Sequence, residues 1–268
     1  MSDLLSVVIP IGGVDEWLDI AVASALDQEG LAEVGAELEV IAVFNNGAAP
    51  PQNWKFKDDP RVRVLHDPRP LGPGGAGQAG INAARGQFLV CLDADDRMLP
   101  ERLRLQLEWL RLHPETTLVS SQVDWIDGAG EVVGAFALPA ADDVRAQLIG
   151  LNVCPHSAWM ARMDAVRQIG GYNLSMNQME DYDLLLRVGA LGPIAVLPQT
   201  LTEYRLHSEQ MSRTVRPNGH YVRTIGVHRR ALGAAIGMSR WRVMLAGRWW
   251  ELQQWLMFIG RKVRGALS

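Results

Sequence analysis

Three aspartates follow an apolar run in the middle of the chain, in the order Cys91-Leu92-Asp93-Ala94-Asp95-Asp96. Alternate residues of an extended strand share a face, so Asp93 and Asp95 are expected to present their carboxylates on one side. Hard oxygen ligands suit Mg²⁺ or Mn²⁺, and such ions take further oxygens from water and substrate phosphates. The pattern predicts either a metal site for a diphosphate substrate or only an acidic flank for the helix that begins at Pro100.

A second motif that could form part of a functional site is rich in glycine. Gly72-Pro73-Gly74-Gly75-Ala76-Gly77 spells G-x-G-x-x-G, and acids follow at about the distance that a dinucleotide fingerprint requires. That fingerprint opens directly off a strand, whereas residues 66–70 intervene here, and Pro73 restricts the backbone. We interpret the motif as a glycine-rich turn that lets a loop and a helix N-terminus approach a phosphate-bearing ligand, or that only permits close packing.

The elements that must position these residues alternate along the chain. Apolar runs predict strands at residues 4–9, 38–44, 61–65 and 88–92, and helical periodicity predicts helices at 15–27, 75–85 and from 100. Residues 117–126 and 131–136 flank an Asp-Gly-Ala-Gly turn and predict a hairpin. This alternation predicts an α/β sheet with its chemistry at the carboxyl ends of the strands.

The composition fits a folded α/β domain with or without an appendage, since 48% of the 268 residues are hydrophobic. Cys91 and Cys154 are too few for a zinc cluster and predict reduced core residues of a cytosolic protein. The N-terminus has no basic n-region, so no signal peptide is expected, and no apolar stretch is long enough to span a bilayer. These features predict a cytoplasmic protein that is soluble or peripheral on the inner membrane face.

Charge is divided unevenly along the chain. Residues 213–268 hold eleven Arg and Lys against the single acid Glu251, although the whole chain has a net charge of −4. A helix is predicted over residues 240–264, with apolar residues spaced by three or four; they are Trp241, Leu245, Trp249, Leu252, Leu256 and Ile259. Trp and Arg on such a helix favour peripheral contact with an anionic membrane, while packing on its own domain or on a second subunit of a homodimer stays open. No nucleic-acid recognition motif accompanies the basic residues, so no nucleic acid is expected.

Several short motifs occur in a fixed order along the chain. They are Ser6-Val7-Val8-Ile9-Pro10, Gly80-Ile81-Asn82-Ala83-Ala84-Arg85-Gly86, the aspartates at 93–96, Ile169-Gly170-Gly171-Tyr172, Glu180-Asp181-Tyr182-Asp183 and Tyr204-Arg205-Leu206-His207. This ordered set, which covers residues 4 to about 212, resembles the family 2 glycosyltransferases. The resemblance implies an α/β GT-A (nucleotide-diphospho-sugar transferase) Rossmann-like fold with a mixed central sheet plus C-terminal helices. The corresponding domains are a GT-A domain at 1–212 and a basic, Trp-rich helical segment at 213–268.

The same resemblance implies a reaction and the residues that carry it. It implies Mn²⁺- or Mg²⁺-dependent transfer of a sugar from a nucleotide-diphosphate donor to a hydroxyl of a glycan or lipid-linked acceptor, with inversion at the anomeric carbon. The implied roles are Asp181 as general base, Asp95 and His207 as metal ligands, and Pro10, Asn45, Gly72, Asp93 and Asp95 as donor contacts, with Asp93 near the ribose. A sugar hydroxyl is a poor nucleophile, so a carboxylate must accept its proton, and a cation must neutralise the departing diphosphate.

Each of these residues also has a purely structural interpretation. Glu180 and Asp181 could form only the acidic first turn of a helix, where they would favour its dipole. His207 could be a surface histidine, and Arg187 and Arg205 suit structural ion pairs. His156 and Trp159 could line the acceptor site or pack in the core.

The chain departs from the family pattern after its second strand. Asn45-Asn46-Gly47-Ala48 stands where the family commonly has Asp-Asp-Gly-Ser, so the turn brings no charge to the donor. The alternative function is therefore a catalytically silent relative that binds a nucleotide sugar or a partner enzyme. Nucleotidyl transfer, a third hypothesis, needs a basic diphosphate loop near the N-terminus, and residues 10–16 contain no Lys or Arg.

Overall fold

The computed structural model describes residues 2–208, residue 210 and residues 219–265, with the backbone alone at 257 and 260–265. The predicted domain boundary at 212/213 lies outside the described residues. Long apolar runs form the strands of one sheet, and glycine and proline segments connect them.

One mixed sheet runs through the described residues. Its strands are β1 (Asp3–Ile11), β2 (Ala36–Phe44), β3 (Val62–His66), β4 (Phe88–Cys91), β5 (Arg97–Met98), β6 (Leu118–Ile126), β7 (Val132–Phe136), β8 (Met160–Arg162) and β9 (Ile194–Arg205). Their order is β3-β2-β1-β4-β8-β6-β9-β5, with β7 paired to β6. The first four are parallel, and β8 is antiparallel to both β4 and β6. The mixed central sheet and the β6–β7 hairpin are confirmed.

Helices cover both faces of this sheet. They are α1 (Leu18–Leu26), α2 (Gly72–Ala83), α3 (Arg102–Leu112), α4 (Arg145–Leu148), α5 (Met163–Gln168), α6 (Glu180–Gly189), α7 (Gly219–Ala235) and α8 (Arg240–Gly265), with a 3₁₀ turn at His156–Ala158. The long tail helix predicted at 240–264 is confirmed. Among the described residues, no helix is long and apolar enough to cross a bilayer.

The glycine-rich segment is helical, so its interpretation as a turn was wrong. The helix α2 begins at Gly72 rather than at residue 75, and its glycines let it lie close to its neighbours. A Cβ on Gly80 would come within 2.2 Å of Val8 Cγ1, and one on Gly77 within 2.6 Å of the Tyr172 ring. Close packing against β1 and against Tyr172 therefore explains these glycines.

Each sheet face has its own hydrophobic core, because alternate strand residues point to opposite sides. In β1, Val7 belongs to the core beneath α1 and α3, whereas Val8 belongs to the core beneath α2, α5 and α6. The two C-terminal helices contribute buried residues to the second core, among them Leu232 and Trp250. The basic tail thus shares a core with the sheet.

Candidate functional site

The three aspartates lie in a turn at the carboxyl end of the central strand β4. The Asp96 N–H donates to the Asp93 carbonyl at 3.2 Å, which closes a four-residue turn. The extended geometry expected for Asp93 and Asp95 was therefore wrong, because a backbone hydrogen bond bends the chain immediately after Leu92. The two carboxylates still interact: burial first, and then the charge of Asp93, raises the pKa of Asp95.

Asp93 is held by residues of the loop that precedes β8. Its N–H donates to Ser157 Oγ at 2.9 Å, and its Oδ1 lies 2.9 Å from His156 Nδ1. The second ring nitrogen of His156 lies 2.6 Å from the Tyr172 hydroxyl. Burial alone would raise the pKa of Asp93, but the charge of His156 and the hydrogen bonds of the Asp93 carboxylate with His156 and Ser157 hold it below its ordinary value.

A buried arginine fixes the loop of Asp93 from below. Arg102 Nη2 donates to the carbonyls of Cys91 and Trp159, each at 3.0 Å, and Nη1 donates to the Ser157 carbonyl. Because all three acceptors flank Asp93 or its partners, helix α3 determines where that carboxylate lies. A buried guanidinium satisfied by carbonyls is a costly arrangement that rigidifies its surroundings.

Asp95 meets the end of β9. Its Oδ2 lies 2.8 Å from His207 Nε2, and the His207 ring packs on Trp17 with centroids 4.9 Å apart. The Arg205 guanidinium also lies over the Trp17 ring, 5.2 Å from its centroid. Arg205 Nε donates to the Asp95 carbonyl at 2.8 Å. Asp96 accepts from the Arg205 N–H, so the aspartate turn and β9 are joined on both sides of Asp95.

Asp95 and His207 fit a divalent cation as a pair. Within the described ranges no group of three or more His, Cys, Asp and Glu side chains is arranged around a common point. One carboxylate and one imidazole would leave the other positions of an octahedral ion for diphosphate oxygens and water, which is how such ions are commonly held. The donor set suits a cation that binds together with its substrate.

Asp181 lies in the first turn of α6. The residue before this helix, Met179, has a left-handed backbone conformation with φ 61°. Asn152 Nδ2 donates to Asp181 Oδ2 at 3.2 Å. Burial raises the pKa of Asp181, the charge of His156 opposes this, and the charge of Asp93 adds to it. Burial and then the charge of Asp181 raise the pKa of Glu180 to about 7.

Helix α2 connects the two ends of the predicted site. Its Gly77 lies against the ring of Tyr172, the partner of His156, and a Cβ on its Gly74 would come within 3.2 Å of Glu180 Cγ. We call the region that carries Asp93, Asp95, His156, Asp181 and His207 the cleft.

The charge of Asp93 raises the pKa of Asp95 and also that of Asp181. The charge of Asp93 therefore influences the pKa values of carboxyl groups that are far apart in sequence. Carboxylates with raised pKa values that lie near other charged groups are common at functional sites.

The other predicted residues have structural contacts. Asn45 is buried, and its amide donates to the Ile11 carbonyl at 3.1 Å, which ties the end of β2 to the end of β1. Pro10 pairs with Val43 inside the sheet, and Gly72 begins α2 with a φ of 67°. Donor contact at these three positions stays a prediction.

The structural alternatives weighed for other residues are resolved by their contacts. Arg187 pairs with Asp183 at 2.7 Å, and Trp159 packs in the core with its indole N–H on the Cys154 carbonyl. His156 lies in the cleft as a partner of Asp93 rather than in the core. His207 lies against Asp95, and its role as a metal ligand stays a prediction.

Sequence reasoning missed part of the site. Asn152, Ser157 and Arg102 were not singled out, because a single asparagine or serine in a loop carries no pattern. Tyr172 did carry a signal, since it closes the Ile-Gly-Gly-Tyr motif, but its hydrogen bond to His156 depends on two loops meeting.

The fold and the site together define the class of the protein. A parallel half-sheet with carboxylates at the end of β4, joined to a mixed half-sheet, is the GT-A architecture. Residues 6–170 match the model of "Glycosyl transferase family 2", and the chain belongs to this family. A crystal structure of Staphylococcus aureus TarS 1–349 in complex with UDP-GlcNAc has the same fold, with a TM-score of 0.68 over 88% of this chain and 72% of that one, at 14% identity.

Two bacterial relatives are named for the synthesis of polysaccharides. The chain is 45% identical over 89 residues to the succinoglycan biosynthesis protein ExoO of Rhizobium meliloti, which is 33% of this chain and 24% of ExoO. It is 31% identical over 156 residues to the amylovoran biosynthesis glycosyltransferase AmsE of Erwinia amylovora, 58% of this chain and 57% of AmsE. The matches thus span about a quarter and just over half of these relatives.

Proposed function

We propose that the protein is a metal-dependent inverting glycosyltransferase that moves a sugar from a nucleotide-diphosphate sugar to a hydroxyl acceptor. The observation that carries this proposal is the set of contacts made by three carboxylates of the cleft: Asp95 lies 2.8 Å from His207, Asp93 lies 2.9 Å from His156, and Asp181 accepts a hydrogen bond from Asn152. Relatives named for succinoglycan and amylovoran synthesis support an acceptor in a cell-surface glycan or on a lipid carrier. The UDP-GlcNAc complex of TarS supports a UDP-sugar as the first donor to test.

Each residue of the cleft has a definite task in this proposal. Asp181, with its raised pKa and its hydrogen bond from Asn152, accepts the proton of the acceptor hydroxyl as the new bond forms. Asp93, held by His156 and Ser157, receives the donor ribose. Attack by the hydroxyl from the side opposite the diphosphate gives inversion.

Asp95 and His207 would hold the cation, Mn²⁺ or Mg²⁺. When bound, the ion would neutralise charge on the departing nucleoside diphosphate. Asp95 Oδ2 and His207 Nε2 lie 2.8 Å apart as hydrogen-bond partners, so the cation would take the place of this hydrogen bond, and Trp17 supports the His207 ring. Both cysteines are free and buried, in keeping with the cytoplasmic location that we include in the proposal.

The proposal is tested by titrating UDP, GDP and dTDP into the protein with and without Mn²⁺, followed by transfer assays with the matching sugar donors. We expect one nucleotide to bind more tightly when Mn²⁺ is present. Asp95→Ala should lower that metal-dependent affinity by about tenfold or more, because a charged ligand of the cation is lost. Asp142→Ala, at an exposed acid outside the cleft, is the control and should leave the titration unchanged.

Two outcomes would contradict parts of this proposal. Identical titrations with and without Mn²⁺ would remove Asp95 and His207 as a metal pair. Nucleotide binding without transfer to any acceptor oligosaccharide or lipid-linked sugar would favour the catalytically silent relative, for which the uncharged Asn45 turn is the motivating feature.

A further inference from the structure

We propose that the outward face of helix α8 docks on an anionic lipid bilayer. The proposal does not rest on the transferase activity. It starts from a set of large apolar side chains on one helix that are all about half exposed or more. They are Trp241, Met244, Leu245, Trp249, Leu252, Trp255, Leu256 and Ile259.

The spacing of these residues puts them on one side of the helix. They recur at intervals of three and four, which at about 3.6 residues per turn forms a continuous stripe. Arg248 is the charged residue within this stripe, and its long side chain can keep the guanidinium in water. Contiguous apolar surface of this extent marks an interaction site in a soluble domain.

The opposite side of the helix is firmly packed, so the exposed stripe is not the result of a loosely placed helix. Trp250 is 2% exposed and lies under Arg229, with the guanidinium carbon 4.1 Å from the ring centroid. Val243 fills the space that Gly233 leaves open, since a Cβ there would come within 2.3 Å of it. The neighbouring tryptophans differ sharply, because Trp249 is 58% exposed.

The charge of the surroundings favours a membrane as the occupant. Arg240, Arg242 and Arg248 of α8 are exposed beside or within the stripe, and Glu251 is the one acid in the sequence of residues 213–268, which holds eleven Arg and Lys. An apolar face with tryptophans, flanked by cations, is the pattern of helices that lie in the interface of anionic bilayers. A second copy would bring two such basic tails together, and like charges across an interface are costly.

The experiment is co-sedimentation of the full chain with vesicles that contain no sugar donor or acceptor, so its result is independent of catalysis. The vesicles are phosphatidylcholine alone and an equimolar mixture with phosphatidylglycerol. We expect wild-type protein to bind the mixed vesicles, to bind phosphatidylcholine weakly, and to dissociate as salt is raised, because salt screens the attraction. The Leu252→Glu variant should lower the partition coefficient on mixed vesicles by about tenfold or more.

A matched variant controls for the added charge. Leu112→Glu changes another exposed leucine, at the end of α3, and should bind the mixed vesicles as wild type does. Thermal melts of both variants establish that each is folded. The proposal is overturned if wild-type protein does not bind the mixed vesicles, or if the Leu252→Glu and Leu112→Glu variants bind those vesicles equally. It is also overturned if wild type is a vesicle-indifferent dimer that Leu252→Glu converts to a monomer, since a second copy would then occupy the stripe.

Discussion

The cleft and the C-terminal helices differ in which groups they bury: the cleft buries charged side chains, whereas α8 leaves apolar side chains exposed. In the cleft, buried and partly buried acids accept hydrogen bonds from His156, Asn152 and Arg205, and Asp96 Oδ2 is the buried carboxylate oxygen there that has no partner among the described residues. On the outward face of α8, large apolar side chains are exposed, and Arg240, Arg242 and Arg248 remain in water. A polar group taken from water needs a partner inside the protein, whereas exposed apolar surface needs a partner outside it. The first region therefore finds most of its partners within the chain, and the second does not.

Helix α6 joins the two regions. Asp181 faces the cleft, while the next two residues face the tail: Tyr182 accepts from Arg229 Nη2 at 3.2 Å, and Asp183 lies 2.6 Å from His228 Nδ1. Successive residues of a helix point about 100° apart, so one turn of α6 can contact both the cleft and the C-terminal helices. The helix that carries the proposed base is thus held in place by the basic tail.

The largest expected effect tests the cleft side of this comparison. Replacing Asp181 by Asn keeps the shape and the contact with Asn152 but removes the proton acceptor, so kcat should fall by about 100- to 10,000-fold. Donor affinity, measured by titration with Mn²⁺, should stay close to that of wild type. Full turnover by the variant would exclude Asp181 as the base.

The second prediction tests the packed side of the tail. Trp250→Ala removes a buried ring and the nearer of two aromatic rings against the Arg229 guanidinium, so the free energy of unfolding should fall by about 3–5 kcal/mol. Its neighbour offers the control, because Trp249→Ala removes an exposed ring and should change stability by only about 0.5 kcal/mol. Urea unfolding of the two variants measures both values, and equal losses would contradict the assignment of inner and outer faces.

The third prediction concerns the pH dependence of stability and is smaller. Glu180 has a pKa of about 7 against an ordinary value of 4.5, so the folded state binds its proton more tightly than the unfolded chain. This contribution is fully present below the ordinary value and is lost as the pH rises through the folded value. It amounts to at most about 3 kcal/mol.

The measurement compares wild type with Glu180→Gln, which cannot titrate. Urea unfolding across this pH window should show wild-type stability falling relative to the variant as the pH rises. Parallel curves for the two proteins would indicate that the Glu180 carboxyl is not held in a buried, acid-rich setting.

The sequence was sufficient for the features that depend on local pattern. Apolar runs located the strands, helical spacing located α8, and ordered motifs brought Asp95, Asp181 and His207 together as one hypothesis. The sequence was insufficient where a backbone hydrogen bond or a distant neighbour decides the outcome. The turn at Asp93–Asp96 replaced the expected extended strand. The supposed glycine turn is a helix, and its glycines are needed where Val8 and Tyr172 leave no room for a Cβ.

Composition and periodicity by themselves determined that this chain forms an α/β protein with a basic, amphipathic C-terminal helix, because those properties need only neighbours in sequence. Only the tertiary structure decided which side of that helix faces out, since spacing alone does not say where the protein lies. It also decided that His156, Tyr172 and Arg102 support the aspartates, because these contacts form when loops far apart in sequence meet at the carboxyl ends of the strands.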